Sequence, residues 1–98
     1  MAFKLIWAPS ARLDLKEIAS YIAEFRPEAS ARFVKSVFHS VEHLITFPEA
    51  GRMVPEFGDP SIREVVRKPC RIVYRVKSAN GIIEIVRVWH AARGTPQI

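Results

Sequence analysis

Cysteine is almost missing from this chain of 98 residues, and long hydrophobic runs are missing altogether. Cys70 is the single cysteine, which excludes an internal disulfide and any zinc site built on cysteines. We therefore expect a reducing, cytoplasmic environment. Residues 1–7 lack the apolar stretch of a signal peptide, and no segment approaches the roughly 20 apolar residues of a membrane span. We expect neither export nor a membrane partner.

Acidic side chains are scarce in the second half of the chain. The whole sequence has 15 Lys and Arg against 10 Asp and Glu, a net charge of +5. Residues 1–49 carry equal numbers of both signs, so the entire excess lies in residues 50–98. Most of the basic residues are arginine, which binds phosphates and carboxylates through two parallel hydrogen bonds. This half predicts an anionic partner: nucleic acid, a nucleic-acid enzyme or an acidic protein. The alternative is a basic surface that serves solubility alone.

Hydrophobic residues make up 49% of the chain and charged residues 26%, which is typical of a folded globular protein. The length predicts one domain over residues 1–98, too small for a deep enclosed active site. Hydrophobic periodicity and the positions of proline and glycine predict the following elements: a strand at 3–8, a helix at 10–25, a second helix from Pro27 to an end at Phe47-Pro48, a loop at 48–61, and strands at 62–67, 71–77 and 82–90.

The fold predicted from these elements is an α+β domain with the order β-α-α-β-β-β. Two helices separated by Arg26-Pro27 form an antiparallel hairpin, whose apolar face needs a sheet to cover it. The Asn80-Gly81 pair predicts a tight turn between the last two strands. We therefore expect the helical hairpin to pack on one face of a small, mainly antiparallel sheet.

Alternation along the strand at 71–77 predicts a basic sheet face. Ile72, Tyr74 and Val76 point one way, towards the helices, and Arg71, Val73, Arg75 and Lys77 point the other way. Neighbouring strands add Arg63, Arg67 and Arg87 to the basic face, unless a bulge reverses their direction. We expect this face to be open and to bind a phosphate backbone or an acidic protein segment. The alternative is an ordinary solvent-facing sheet surface.

Histidine residues offer two candidate chemical sites. His90, followed by Arg93, has a side chain suited to acid–base work on a ribose hydroxyl, with Arg71 or Arg93 stabilising the phosphate. The alternative is a structural histidine that ties down the C-terminal segment, while the adjacent Trp89 belongs to the core. The run 39–43 matches the H-x-x-E-H zinc pattern. Its histidines lie opposite the apolar stripe of their helix, so we expect no metal and no cofactor.

Several short motifs occur in an order and at spacings that resemble the RelE/ParE family of bacterial toxin–antitoxin toxins. The resemblance covers nearly the whole chain. The motifs that carry it are Ile6-Trp7-Ala8-Pro9-Ser10-Ala11, Asp14-Leu15, Ile18, Tyr21-Ile22-Ala23, Leu44, Phe47-Pro48, Gly51-Arg52, Arg63-Glu64, Arg71-Ile72-Val73-Tyr74-Arg75-Val76 and Ile85-Val86-Arg87-Val88-Trp89-His90-Ala91-Ala92-Arg93.

The resemblance implies a cytoplasmic toxin of a type II toxin–antitoxin system, with a role in plasmid stabilization and a cognate antitoxin that carries an acidic or amphipathic helical segment. The opening and closing motifs are nearer the ParE branch, which inhibits DNA gyrase and is not known as an enzyme. The RelE branch cleaves messenger RNA on the ribosome. A third hypothesis is a non-toxic module that binds an antitoxin.

The resemblance also implies which side chains act. For antitoxin or target binding we expect Arg63, Arg67, Arg71, Arg75, Arg87, His90 and Arg93. If the chain is a ribonuclease, the expected catalytic set is His90, Arg71, Arg63, Glu64 and Arg93. Cys70 stands where many relatives carry tyrosine, and this loss of a base-stacking ring disfavours the ribonuclease.

Overall fold

The computed structural model describes residues 3–98. Met1 and Ala2, which the sequence analysis assigns to the same domain, lie outside the described residues. The elements are β1 (Lys4–Trp7), α1 (Pro9–Phe25), α2 (Pro27–Thr46), β2 (Arg52–Met53), β3 (Ile62–Arg67), β4 (Cys70–Lys77) and β5 (Ile82–His90), with short 3-10 turns at Ser78–Asn80 and Ala91–Arg93. The α+β class and the helical hairpin on a mainly antiparallel sheet are confirmed.

Each of the two helices begins at a proline. Pro9 and Pro27 stand in the first turns of α1 and α2, where the missing N–H costs no hydrogen bond. Between the helices, the N–H of Arg26 donates to the carbonyl of Ile22, and the Ser30 hydroxyl donates to the Ala19 carbonyl at 2.7 Å. These contacts hold the two helices together as a hairpin, in which Arg26 is the one residue between them.

The sheet has five strands in the order β1-β5-β4-β3-β2. β1 runs parallel to β5, and the other pairs are antiparallel. The two-residue strand β2 lies inside the segment predicted to be a loop, so the sequence analysis missed one strand. Its register on β3 pairs Arg52 with Glu64, which brings the loop onto the edge of the sheet.

The main core lies between the helical hairpin and what we call the inner face of the sheet. From α2 it receives Val37, Val41 and Leu44, all at most 1% exposed. The residues that the sheet and α1 add are Ala11, Leu15, Cys70, Ile72, Tyr74, Ile83, Ile85 and Val88. The predicted apolar stripe of α2 and the predicted inward direction of Ile72 and Tyr74 are thereby confirmed.

A second, smaller apolar cluster lies on the opposite side of the sheet, which we call the outer face. It consists of Val54, Ile62, Val73 and Val86, all at most 8% exposed. Val54 comes from the loop that crosses from the helices to the sheet. The outer face is therefore partly covered by this loop, and the expectation of a fully open face is wrong. The chain buries apolar groups on both sides of β4.

Candidate functional site

Strand register divides the predicted basic residues between the two faces. Arg63 lies opposite Tyr74 and Arg67 opposite Cys70 in the β3–β4 ladder. Directly opposed residues share a face, so Arg63 and Arg67 project towards the helix side. The expectation that they join the basic outer face is wrong. The Arg63 guanidinium instead donates to the carbonyl of Gly51 at 2.9 Å and helps to fix the loop.

Arg71 is the centre of an ion-pair cluster on the outer face. Its Nε donates to one carboxylate oxygen of Glu64, whose other oxygen accepts from Nε of Arg52 at 2.6 Å. Its two terminal nitrogens donate to both oxygens of Glu56, at 2.8 Å each. The Glu64 side chain is fully buried and that of Arg71 is 13% exposed. A carboxylate that is completely buried needs its two guanidinium partners to offset the cost of removing it from water.

These contacts change the acidity of the groups involved. The hydrogen bonds from Arg71 hold the pKa of Glu56 at about 2, well below its ordinary 4.5. In return, the bonds to Glu56 and Glu64 raise the pKa of Arg71 above its ordinary value. Glu56 and Arg71 therefore both stay charged at neutral pH, and neither of these two groups exchanges protons there.

Arg75 lies further along β4 on the same face, between Ile62 of β3 and Glu84 of β5. Its Nε is buried and has no hydrogen-bond partner within residues 3–98. Lys77 follows at the end of the strand and forms an ion pair with Glu84 at 3.2 Å. The outer face thus carries a row of cations along β4, of which Arg71 is the most tightly held.

Arg87 takes part in a different ion pair, in the part of β5 that lies beyond its pairing with β1. The ladder between β4 and β5 shifts register beside Val73 and Tyr74, so the alternation expected along β5 changes direction there. The Arg87 guanidinium donates to both oxygens of Asp14 on α1, at 2.7 and 2.8 Å. One of these oxygens also accepts from the backbone N–H of Val88. Asp14 therefore joins α1 to the sheet.

Trp89 is buried, as predicted, but outside the main core. The guanidinium carbons of Arg87 and Arg93 lie 4.8 and 4.1 Å from the centre of its ring. Its indole N–H donates to the carbonyl of Gly94, and Arg87 donates to the carbonyl of Gln97. These contacts attach the C-terminal segment to the sheet. Two of the predicted binding residues, Arg87 and Arg93, thus have structural contacts.

His90 lies opposite Cys70 and therefore projects to the inner face, away from Arg71. Its Nδ1 accepts a hydrogen bond from the N–H of Ala92 at 3.1 Å and caps the last 3-10 turn. The side chain also borders a groove of about 410 Å³ beside α1. That groove is lined by Asp14, Glu17, Ile18, Tyr21, Ile22, Pro69, Val88, His90 and Arg93. The predicted catalytic set is divided: His90 and Arg63 lie on one face, Arg71 and Glu64 on the other.

Part of the exposed apolar surface lies on the helical hairpin. Tyr21 and Phe25 near the end of α1 are 66% and 70% exposed and contact each other edge to face. Trp7 and the exposed Phe38 pack together across β1 and α2, with ring centres 5.4 Å apart. A groove of about 550 Å³ beside them is lined by Trp7, Arg12, Leu15, Lys16, Ala19, Val34 and Phe38. Exposed aromatic rings of this kind are typical of protein-binding surfaces.

Three further features limit the kinds of site that the described residues can form. Within residues 3–98, no group of three or more His, Cys, Asp and Glu side chains is placed to hold a metal ion. In the same part of the chain, no helix is both long and apolar enough to span a membrane. Burial raises the pKa of the Cys70 thiol to about 11, which keeps it protonated and unreactive.

The fold and the site define a small α+β domain with exposed aromatic residues on its helices and paired arginines on its sheet. Residues 5–94 match the family described as "ParE toxin of type II toxin-antitoxin system, parDE". The chain belongs to this family, within the wider group of RelE and ParE toxins. Toxin RelE2 of Caulobacter vibrioides is similar, with 33% identity over 90 residues, which are 92% of this chain and 97% of that protein.

Solved structures share the fold. A chromosomal ParDE toxin–antitoxin system from P. aeruginosa contains a chain with a TM-score of 0.74 and 24% identity, covering 91% of this chain and 96% of the other. The RelBE2 toxin–antitoxin complex of Mycobacterium tuberculosis contains one with a TM-score of 0.59 and 21% identity, covering 92% and 99%. The first is named for ParDE and the second for RelBE, so the shared fold does not separate the two branches.

Proposed function

We propose that this toxin inhibits DNA gyrase and that a cognate antitoxin with an acidic, amphipathic segment neutralises it. The observation that carries this proposal is the division of the candidate catalytic residues between two faces of the sheet. Arg71 and Glu64 bond each other on the outer face, while His90 caps a turn on the inner side. A ribonuclease needs its acid, base and phosphate-binding groups around one scissile bond. A protein inhibitor needs a surface alone.

Two further observations support a protein target. Tyr21, Phe25 and Phe38 are exposed on the helices, and aromatic side chains dominate the energy of protein–protein contacts. Fixed cations on β4 favour an acidic partner and accelerate its association. The antitoxin and the target would use these surfaces in turn, because the small domain offers few others. The matching family is also the one described for parDE.

The direct test measures both activities of one purified preparation. We expect the protein to inhibit gyrase supercoiling of a plasmid and to leave messenger RNA intact in a translation extract. Unaffected supercoiling together with cleaved messenger RNA would overturn the proposal. Expression of the chain alone in a bacterium separately tests the non-toxic module: normal growth with confirmed soluble protein would favour that hypothesis.

The second candidate function is a RelE-like, ribosome-dependent messenger RNA endonuclease. The similarity to Toxin RelE2 over nearly the full length of both chains favours it. In this case His90→Ala should abolish toxicity while the protein stays folded and still binds its antitoxin. Loss of messenger RNA cleavage in His90→Ala, with gyrase unaffected by the wild-type protein, would establish this function instead of gyrase inhibition.

A further inference from the structure

Arg71 is held from two sides by carboxylates of very different accessibility. Glu64, on Nε, belongs to β3 and has no exposed side-chain surface. Glu56, on the terminal nitrogens, belongs to the loop before β3, and its side chain is 31% exposed. The guanidinium therefore bonds a buried carboxylate through Nε and a partly exposed carboxylate through its two terminal nitrogens. The two bonds to Glu56, at 2.8 Å each, form a flat, end-on pair.

The buried partner fixes the orientation of the arginine. Glu64 lies in the ladder opposite Val73, and its second oxygen is bonded by Arg52. Neither of these contacts involves Glu56. If Glu56 moved away, Arg71 would keep its bond to Glu64 and would present two N–H donors to the solvent. A guanidinium fixed in this way binds a planar carboxylate with little loss of side-chain entropy.

The exposed partner is attached less firmly. Residues 55–60 are all exposed, whereas the neighbouring Val54 is fully buried in the small cluster of the outer face. Movement of the loop tip beyond Val54 would therefore release Glu56 without opening that cluster. Gly58, two residues on, has no atom within 4 Å of the position a side chain would occupy, so the space beside this part of the tip is open.

We propose that the end-on pair of donors on Arg71 is a docking site for an acidic side chain of a protein partner, and that Glu56 occupies this site as an internal competitor. A carboxylate already bound there in bidentate geometry shows which chemical group the site accepts. Arg52, whose side chain is 61% exposed beside it, adds a second positive charge. The identification of that partner as an antitoxin rests on the proposed function, but the docking site does not.

The test compares Glu56→Gln with Glu49→Gln in the full-length protein. Both substitutions remove one negative charge from the same loop, and Glu49 is exposed and has no ion pair within residues 3–98. The probes are a fluorescein-labelled Glu-rich peptide, its Gln-substituted analogue and single-stranded oligo-uridine. We expect Glu56→Gln to bind the Glu-rich peptide about two- to fivefold more tightly than Glu49→Gln, the factor by which an exposed ion pair shifts an equilibrium. The other two probes should not distinguish the variants.

Three outcomes would overturn the docking site. Equal affinity of the two variants for the Glu-rich peptide, or no binding by either, would show that Glu56 blocks nothing. A gain for oligo-uridine that equals or exceeds the gain for the peptide would identify a phosphate site in place of a carboxylate site.

A second measurement places the peptide on the protein. The NMR signal of the Arg71 Nε–H should shift on peptide addition, and the gain from Glu56→Gln should disappear in the double variant with Arg71→Lys, which keeps the charge but loses the paired donors. An unchanged Arg71 signal would contradict the docking site. These binding measurements do not involve gyrase. They therefore test the docking site even if the protein fails to inhibit gyrase.

Discussion

The two faces of the sheet are built from different kinds of interaction. The inner face is covered by two helices, and its central residues form an apolar, buried core. The outer face has a four-residue apolar cluster, and around it the contacts are ion pairs of Arg52 and Arg71 with Glu56 and Glu64. The inner face therefore supplies most of the stability. The outer face holds charges in fixed positions, which is the requirement for recognising a charged partner.

Matched substitutions on the two faces should show this difference most strongly. We expect Ile72→Ala on the inner face to lower the free energy of unfolding by about 4 kcal/mol, and Ile62→Ala on the outer face by about 2 kcal/mol. Ile72 has no exposed surface, whereas Ile62 is 8% exposed and has fewer buried neighbours in its cluster. Urea unfolding at neutral pH measures both. Equal losses would mean that the outer cluster is as important to stability as the helix-covered core.

The Asp14–Arg87 pair joins α1 to β5 and belongs to neither apolar cluster. We expect Arg87→Met to cost about 3 kcal/mol, because it leaves the buried carboxylate of Asp14 without its guanidinium. Arg67→Met is the matched control, since Arg67 is exposed and forms no ion pair within residues 3–98. Thermal unfolding should separate the two variants clearly. Similar melting temperatures would contradict the structural role of Arg87.

Gly51 packs closely against residues of β3 and β4. A side chain at this position would come within 2.6 Å of both the Glu64 carbonyl and the Tyr74 hydroxyl. The Gly51 N–H donates to that hydroxyl, which donates in turn to the carbonyl of Pro48. We expect Gly51→Ala to cost about 2 kcal/mol by overpacking. Hydrogen exchange of β2 and β3 should accelerate in this variant, and unchanged protection would show that the loop accommodates the methyl group.

The smallest effect concerns Glu56 and depends on pH. Its pKa is about 2 in the folded protein against 4.5 ordinarily, so its ion pair stabilises the fold fully above pH 4.5 and loses that contribution as the pH falls towards 2. Solvent screening reduces the effect to about 0.5 kcal/mol at neutral pH. Denaturant unfolding of wild type and Glu56→Gln should differ at pH 7 and converge in acid. A difference that grew on acidification would have the wrong sign.

The fold was largely predictable because its signals are local. Pro9 and Pro27 fix the helix starts, and the spacing of Val37, Val41 and Leu44 identifies the buried side of α2. The two-residue strand β2 was not predictable, because its sequence context of proline and glycine is typical of a loop. β2 is a strand only because it pairs with β3, which comes later in the chain, and the residues of β2 do not indicate this partner.

The site was less predictable because it depends on register. A shift of one residue reverses the direction of every side chain in a strand, and the register shift beside Val73 does this within β5. Arg63 and Arg67 were placed on the wrong face for a related reason, since β3 pairs with β4 in a register that alternation alone does not fix. The Asp14–Arg87 pair joins residues 73 positions apart, a separation at which sequence spacing carries no information.

The measurement that tests the central claim most directly is a titration of the toxin, repeated at several concentrations of gyrase. A protein that acts through its surface inhibits in proportion to the gyrase present, whereas a catalyst acts at far lower ratios. We predict that supercoiling falls to half at a toxin concentration that rises with the gyrase concentration, while messenger RNA in a parallel translation extract stays intact. Full supercoiling at every ratio, with messenger RNA cleaved at trace amounts of toxin, would contradict the account.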